Sequence, residues 1–403
     1  MAGPLEGIRV LDLTSVVLGP YATMLLGDMG ADVIKIEGPE GDTTRTTGPS
    51  RSPGMSAMFL AANRNKRSLV LDLKRPAAKE ALWRLIDTAD VFVHSIRPQA
   101  VERLGFGPDA VLARNPRIVY AGIHGFGEAG PYAGRPAYDD VIQAASGLSA
   151  LMEKIVGEPL HTPMVTADKT TGLTALYAIL AALFARERTG KGQFVEIPMF
   201  ETMAQFVLME HLYGHIFDPP EGPIGYPRVL AAWRRPYRTK DGWLAVLAYT
   251  DRQWANFVTE AGRPELATDP RFDSLGSRTR HIDQVYAEVG ALMRSRSTAE
   301  WIEALERLEI PYMKVNRLED LETDPHLQAV GFFRKVEHPT EGRLTLPEAP
   351  VRFAETPNSL RRLPERLGES SAEVLREAGF SDDEIARMLA EGATIDGGRR
   401  AGE

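Results

Sequence analysis

The feature that most constrains this chain is an alternation of short β-branched runs with helical patterns, sustained over the first 200 residues. Residues 8–13 read as a strand, 21–29 as a helix and 32–37 as a second strand. Further strands are expected at 68–71, 91–94 and 118–123, with a helix at 77–88. Helical stretches between successive strands act as crossovers, so the pattern predicts an α/β fold with a parallel sheet covered by helices on both faces. Between the second and third strands, the polar segment 38–53 is rich in Gly, Pro, Thr and Arg and longer than a connector needs. It is expected to be a binding loop.

A second region begins near Gly222, after the breaker cluster 218–223. It holds a hairpin pattern at 237–248, turned by Asp241-Gly242, and helical patterns at 253–261, 282–293 and 299–308. The expected division is a large domain of 1–220 completed by 330–403, and a smaller α+β domain of 221–329. The tail carries a strand-like piece at 332–336 and helices at 372–378 and 382–390, and its last ten residues are expected to fray.

Composition removes several function classes. Against 47 basic residues stand 55 acidic ones, a net charge of −8, so the basic footprint of a nucleic-acid or anionic-membrane binder is missing. There is no cysteine, which excludes thiol nucleophiles, iron–sulfur clusters and Cys-ligated zinc and fits a cytoplasmic location. Residues 1–7 lack the pattern of a signal peptide. The most apolar stretch, 173–185, is shorter than the ~18–20 residues that span a bilayer and reads as a buried helix.

Two motifs fail on context. Gly125-Phe126-Gly127-Glu128-Ala129-Gly130 matches GxGxxG after a strand, but Pro131, Gly134 and Pro136 break the helix that should follow, and no acidic residue closes a second strand at the required spacing. His211 and His215 have the i, i+4 spacing of a zinc pair, yet Glu210 precedes the first histidine and HExxH is absent, so no metal is expected. What remains is Asp168, which runs through Lys169-Thr170-Thr171-Gly172 into the apolar stretch and so lies at or near a helix N-terminus. It reads as an N-cap, or as a carboxylate kept ionised by the helix dipole and backbone amides and usable as a nucleophile toward an acyl carbon.

Taken together, the blocks PLEGIRVLDLTSVVLGPYAT, GDMGADVIKIEGPEGD, NRNKRSLVLDLK, IRPQAVERLGFG, HGFGEAGPYAGRPAYDD, TADKTTG and RTGKGQFVEIPMFETM resemble the family III CoA-transferases. That group includes formyl-CoA and carnitine-CoA transferases and α-methylacyl-CoA racemase. The resemblance implies a Rossmann-like large domain, an interlocked homodimer, and CoA or acyl-CoA as a cosubstrate with a small carboxylic acid as the other partner. It makes Asp168 the nucleophile of a CoA transfer through covalent aspartyl intermediates. It also implies CoA contacts at Ser15, Val16, Leu18, Leu71, Leu73, Lys74, Ser95, Ile96, Arg97 and Arg103, with Tyr138 and Asp139 lining the thiol end.

Departures from the family pattern narrow the chemistry. Ala137-Tyr138-Asp139 stands where racemases carry Gly-His-Asp, and a tyrosine of pKa about 10 is a poor base at neutral pH. Ser95-Ile96 replaces the usual Asn-Phe, and Val17 replaces the glutamine of formyl-CoA transferases, which argues against formyl and oxalyl substrates. The glycine-run loop of those enzymes has no equivalent. Here Gly222, Gly225, Tyr226 and Arg228 precede Trp233-Arg234-Arg235, and Arg228, Arg234 or Arg235 is expected to hold the distal carboxylate of a dicarboxylic acid, from the partner subunit. The expected activity is CoA transfer from succinyl-CoA or a similar dicarboxylyl-CoA. An acyl-CoA isomerase or racemase, or a CoA-binding protein without turnover, are the alternatives.

Overall fold

In the computed structural model, which describes residues 3–397, the alternation becomes a six-stranded sheet. Its strands are β1 (Arg9–Leu13), β2 (Asp32–Glu37), β3 (Lys66–Val70), β4 (Val91–His94), β5 (Val119–His124) and β6 (Gln193–Pro198). They lie in the order β3-β2-β1-β4-β5-β6 and every pairing is parallel. This is the order of a doubly wound sheet, whose direction of winding reverses between β1 and β4 and opens a crevice beyond the strands' carboxyl ends. β6 escaped the sequence reading because Gly190, Gly192 and charged residues surround its short apolar core.

Both faces of the sheet are covered, which explains why the central strands are continuous apolar runs such as Val91-Phe92-Val93. Leu11, Ile34, Leu69, Phe92 and Tyr120 form one core with the helix Pro76–Ile86 and with Val374, Leu375, Ile385 and Met388 of the tail. The helix starts with proline in its first turn and buries Ala78, Ala81, Leu82 and Leu85, a stripe at helical spacing. Val10, Val33, Val91 and Val119, which alternate with that core, are buried too. The helices Leu18–Asp28 and Thr166–Thr189 pack on each other and against strands of the sheet. They meet at Gly172, where a Cβ would come within 2.8 Å of the Leu18 carbonyl oxygen.

The chain divides into two compact units, one of residues up to 146, 162–206 and from 329 onward, the other of 147–161 and 207–328. Segments 147–161 and 207–220 thus group with the second unit, whereas the sequence reading placed them in the large domain. The second unit has an antiparallel sheet of β7 (Tyr237–Arg238), β8 (Trp243–Val246) and β9 (Tyr312–Lys314), around a core that includes Trp254, Phe257, Val285 and Trp301. Asp241-Gly242 turns the β7–β8 hairpin as expected, closed by the Thr239 amide on the Gly242 carbonyl at 3.0 Å. In the first unit, β10 (Phe333–His338) pairs with β11 (Gly342–Pro347).

Two expectations are corrected. Within the last ten residues, Thr394 Oγ1 donates to the Val70 carbonyl at 2.6 Å and the Gly397 amide to the Gly368 carbonyl at 3.0 Å, so this part is tied down; Gly398, Arg399 and Arg400 lie outside the described residues. The helix Thr166–Thr189 is longer than its apolar stretch and buries only one side, leaving Leu173, Tyr177 and Phe184 at 48, 60 and 66 % exposure. Apolar residues run all round it, so the single chain cannot cover them from one direction.

Buried charges link the strands below the crevice. Asp12, fully buried near the carboxyl end of β1, accepts from Lys66 Nζ at 3.1 Å and Thr23 Oγ1 at 2.6 Å, and from the Thr14 amide at 2.9 Å. Burial pushes its carboxyl up, but Lys66, Lys35 and the two threonine hydroxyls outweigh this and bring it to about 2. Lys66 also donates to the Pro20 carbonyl and Asn63 Oδ1, each at 2.9 Å. Removing one partner of such a pair strands the other in a medium that solvates it poorly. Lys66→Met is therefore expected to cost about 3–5 kcal/mol in denaturant unfolding. Asp12→Asn/Lys66→Met should cost clearly less, and equal costs would show that Asp12 does not depend on Lys66.

Candidate active site

Two adjoining cavities occupy the crevice at the carboxyl ends of β1, β4 and β5. The first, of about 200 Å³, is lined by Ser15, Val16, Leu18, Ser95, Arg97, His124, Arg135, Tyr138 and Asp168, among others. The second, of about 410 Å³, is lined by Leu13, Ile36, Leu71, Leu73, Ile96 and Leu104, with Lys74 and residues 37–42 at its edge. Ser15 borders both. An apolar cleft with one ammonium at its rim, opening toward a polar cavity that holds a carboxylate, suits a flat apolar group joined by a long arm to a reactive end.

The loop between β1 and the helix Leu18–Asp28 shapes the wall common to both cavities. Val16 sits in the left-handed region at φ 68°, unusual for a β-branched residue. Its amide lies 3.2 Å from each Asp42 carboxylate oxygen, and Asp42 pairs with buried Lys35 at 2.9 Å while accepting from the Thr44 amide and hydroxyl. The polar segment 38–53 accordingly borders the second cavity through residues 38–42 and anchors the strained loop.

Asp168 lies in the first turn of Thr166–Thr189, three residues past the N-cap Val165, which offers no side-chain cap. The capping carboxylate is Asp139, whose Oδ1 accepts the Asp168 amide at 3.0 Å. Asp139 is itself held by Gln143 Nε2 at 2.6 Å, and Gln143 Oε1 accepts from the Thr162 amide and hydroxyl at 2.9 and 3.0 Å. Gln143 thus fixes the segment that enters the long helix, and with it the position of Asp168.

This arrangement reverses the expected electrostatics. Asp168 is 8 % exposed, and its carboxylate accepts no hydrogen bond from the described residues. Burial first, then the like charges of Asp139 and Asp140, raise its carboxyl to about 7. The helix amide that was expected to hold it ionised is occupied by Asp139. A carboxylate so placed is more basic, and a better nucleophile once ionised, than one in water.

Of the residues expected in the site, Ser15, Val16, Leu18, Ser95, Arg97 and Tyr138 line the cavity with Asp168, and Leu71, Leu73, Lys74 and Ile96 line the second cavity. Asp139 reaches Asp168 through its amide. Arg103, in the last turn of Pro98–Leu104, is in the lining of neither. Nor are Arg228, Arg234 and Arg235: Arg228 stacks on Tyr249, its carbon Cζ 4.8 Å from the ring centre, and Arg235 Nε donates to the Ala232 carbonyl at 3.2 Å. Tyr138 is 69 % exposed and caps the helix Asp139–Ala145 through its backbone.

Sequence reasoning did not single out His124, Arg135 or Gln143. For His124 a signal existed, since it ends a strand whose carboxyl end faces the crevice. The GxGxxG loop has a plain structural role, because its Gly127 and Glu128 amides are already bonded to Glu201 at 3.0 Å and Glu196 at 2.7 Å. A Cβ on Gly127 would lie 2.6 Å from Glu201 Oε1. His211 is packed, its Nδ1 accepting the Tyr226 amide at 3.2 Å.

The comparisons with known proteins agree with this geometry. The sequence model of CoA-transferase family III matches residues 5–371. A human succinyl-CoA:glutarate CoA-transferase is 31 % identical over 98 % of this chain and 90 % of its own length. A formyl-CoA:oxalate CoA-transferase of Escherichia coli is 33 % identical, over 96 % of this chain and 99 % of its own. Among solved structures, a CAIB/BAIF family protein from Brucella suis superposes with a TM-score of 0.78 at 30 % identity, covering 94 % of this chain and all of that one. A doubly wound crevice with a buried aspartate, matched along nearly its whole length to enzymes that move CoA, places the chain in CoA-transferase family III and makes it a CoA-transferase.

Proposed function

We propose that the enzyme moves CoA from succinyl-CoA, or a similar dicarboxylyl-CoA, to a carboxylic acid acceptor through intermediates on Asp168. The observation that carries this reading is Asp168 itself, a buried carboxylate that accepts no hydrogen bond among the described residues and lines a cavity that adjoins an apolar cleft. Of the two named relatives, the human one takes CoA from succinyl-CoA, which favours a dicarboxylyl donor, while the departures at Val17 and Ser95-Ile96 argue against the formyl and oxalyl substrates of the other.

In the proposed sequence, an Asp168 oxygen attacks the thioester carbonyl. A carbon–oxygen bond forms, the carbon–sulfur bond breaks and CoA leaves as thiolate, giving a mixed anhydride. The thiolate then attacks the Asp168 carbonyl carbon, forming an aspartyl thioester and releasing the donor acid as carboxylate. The acceptor carboxylate attacks the aspartyl thioester and displaces the thiolate. That thiolate finally takes the acceptor's acyl group from the new anhydride, regenerating Asp168. Each step exchanges one anion for another, so no net proton moves and no metal ion or general base is required. Ser15, Val16, Leu18, Ser95, Arg97 and Tyr138 would surround the arm and thiol end, while Leu71, Leu73 and Ile96 would flank the adenine with Lys74 near phosphate; Arg103 would meet phosphate from outside the cavities. We further propose a homodimer, supported by the exposed Leu173, Tyr177 and Phe184 on the long helix.

Hydroxylamine added with succinyl-CoA should convert the activated Asp168 to a hydroxamate, seen as a mass increase and located by peptide mapping. Asp168→Ala should give no adduct and lose activity by on the order of 10³-fold or more. An unmodified Asp168 with every acyl-CoA that the protein turns over would remove the covalent scheme, and deuterium entering the α-carbon of recovered acyl-CoA would identify an isomerase instead.

The attacking form is the carboxylate, so kcat/KM should rise with pH through about 7. Replacing Asp139 by Asn removes a like charge, favours ionised Asp168 and should move that limb to lower pH; an unmoved limb would show that Asp139 does not set it. Arg234→Ala and Arg235→Ala should reduce the preference for succinate over a monocarboxylate if these arginines hold the distal carboxylate. Unchanged selectivity would remove them from the site.

A further inference from the structure

The cavity that holds Asp168 is lined by two arginines, Arg97 and Arg135, whose charge nothing in the chain satisfies. Both are exposed, and neither guanidinium has an ion pair or a hydrogen bond among the described residues. Neither pairs with Asp168, whose carboxyl is raised by burial and by Asp139 and Asp140 with no cation opposing them. The two arginines differ in place. Gly134, Arg135, Pro136, Ala137 and Tyr138 all line the first cavity and none of them the second. Arg97 follows Ile96, which lines the second cavity, and so stands where the arm of CoA would pass from one to the other.

The loop that carries Arg135 is pinned on either side of it. Gly134 turns the chain at φ 69°, where a Cβ would come 2.8 Å from Gln99 Nε2, and a Cβ on Gly125 would lie 2.4 Å from that of Ala137. The guanidinium carbon of Arg135 lies 4.4 Å from the centre of the Tyr132 ring. That ring in turn meets Phe126, a buried residue of the cavity wall, edge to face at 5.4 Å. Stacking on a ring occupies the face of a guanidinium and leaves its in-plane N–H groups free. Arg135 is therefore a charged fork backed by an aromatic ring, with no acceptor of its own, on the wall of a cavity that holds a reactive carboxyl.

The complement of such a fork is a carboxylate, bound through two parallel hydrogen bonds. It is not the reacting carboxylate, because a guanidinium draws charge from the oxygens it holds and would blunt their attack. An acid with two carboxylates meets both requirements, one end free to react at Asp168 and the other on the arginine. We infer that Arg135 binds the carboxylate remote from Asp168 in a dicarboxylic acid and so selects diacids over monoacids. The inference rests on the proposed transfer at Asp168, and it gives to a residue of the same chain the role expected of Arg234 or Arg235. A diacid brings two negative charges toward Asp139 and Asp140, and the free guanidinium offsets that repulsion.

Labelled succinate and labelled butyrate, acids of equal chain length, can be set in competition for the CoA of succinyl-CoA, which gives the ratio of their kcat/KM values directly. Arg135→Gln is expected to lower the succinate-over-butyrate ratio by about 10- to 100-fold, with the loss in KM for succinate more than in kcat. Arg135→Lys keeps the charge without the fork and should recover part of the ratio. A loosened loop would slow both acids alike and leave the ratio where it was. Should Arg135→Gln fail to fold by circular dichroism, Arg135→Lys carries the same comparison, with a smaller fall expected. An unchanged ratio, a wild type that does not prefer succinate, or a ratio that falls in Arg234→Ala or Arg235→Ala and not in the Arg135 variants would each overturn the inference. A ratio lowered in Arg135→Gln with no hydroxylamine adduct on Asp168 in the wild type would instead remove the covalent scheme and leave the carboxylate contact standing.

Discussion

The Asp12–Lys66 pair is the constraint on which the site's geometry depends. Asp12 belongs to the central strand, Lys66 to the sheet's edge strand and Thr23 to the helix that follows the strained loop, so one carboxylate ties three elements. Lys66 reaches further, to the Pro20 carbonyl at the start of that helix. Because burial and Lys35 lower Lys66 to about 8, the ammonium stays charged only by virtue of its partners. A buried pair of this kind adds little net stability compared with apolar packing. What it supplies is register: the loop of Ser15 to Val17 has one place to go.

A second electrostatic decision is made at Asp139. Helix N-termini ordinarily favour the ionised form of a carboxyl in their first turn. Here the nearest amide is bonded to another carboxylate, whose own charge then faces Asp168. The result is a carboxyl raised to about 7, with Gln143 holding the pair in place. A bound group that brings further negative charge or displaces water would raise that carboxyl further, so its protonation depends on what lies beside it.

Much of this was legible in the sequence because it is local. Residues 91–94 and 32–37 are strands in the structure as read, and the helix at 282–293 matches to the residue. Asp168 stood out because a lone acid precedes an apolar run. Asp139 entered only through the resemblance, as a residue lining the thiol end; its bond to the Asp168 amide was hidden, since the two lie 29 residues apart and meet through the turn that Gln143 builds. The exposed side of the long helix was equally hidden, because hydrophobicity states that a residue prefers burial and not whether its own chain supplies the cover. β6 was missed because its pairing with β5, and not its composition, makes it a strand.

Val16 shows how such a site trades composition for stress. A β-branched residue in the left-handed region costs on the order of 1–3 kcal/mol, which glycine would avoid. Yet the valine side chain is part of the cavity wall, and the Asp42 carboxylate that bonds its amide is locked to Lys35. Relaxing the backbone would give a more durable protein with a softer wall. The loop therefore works as a preloaded spring, and selection for durability alone would be expected to release it, at the expense of the shape it holds.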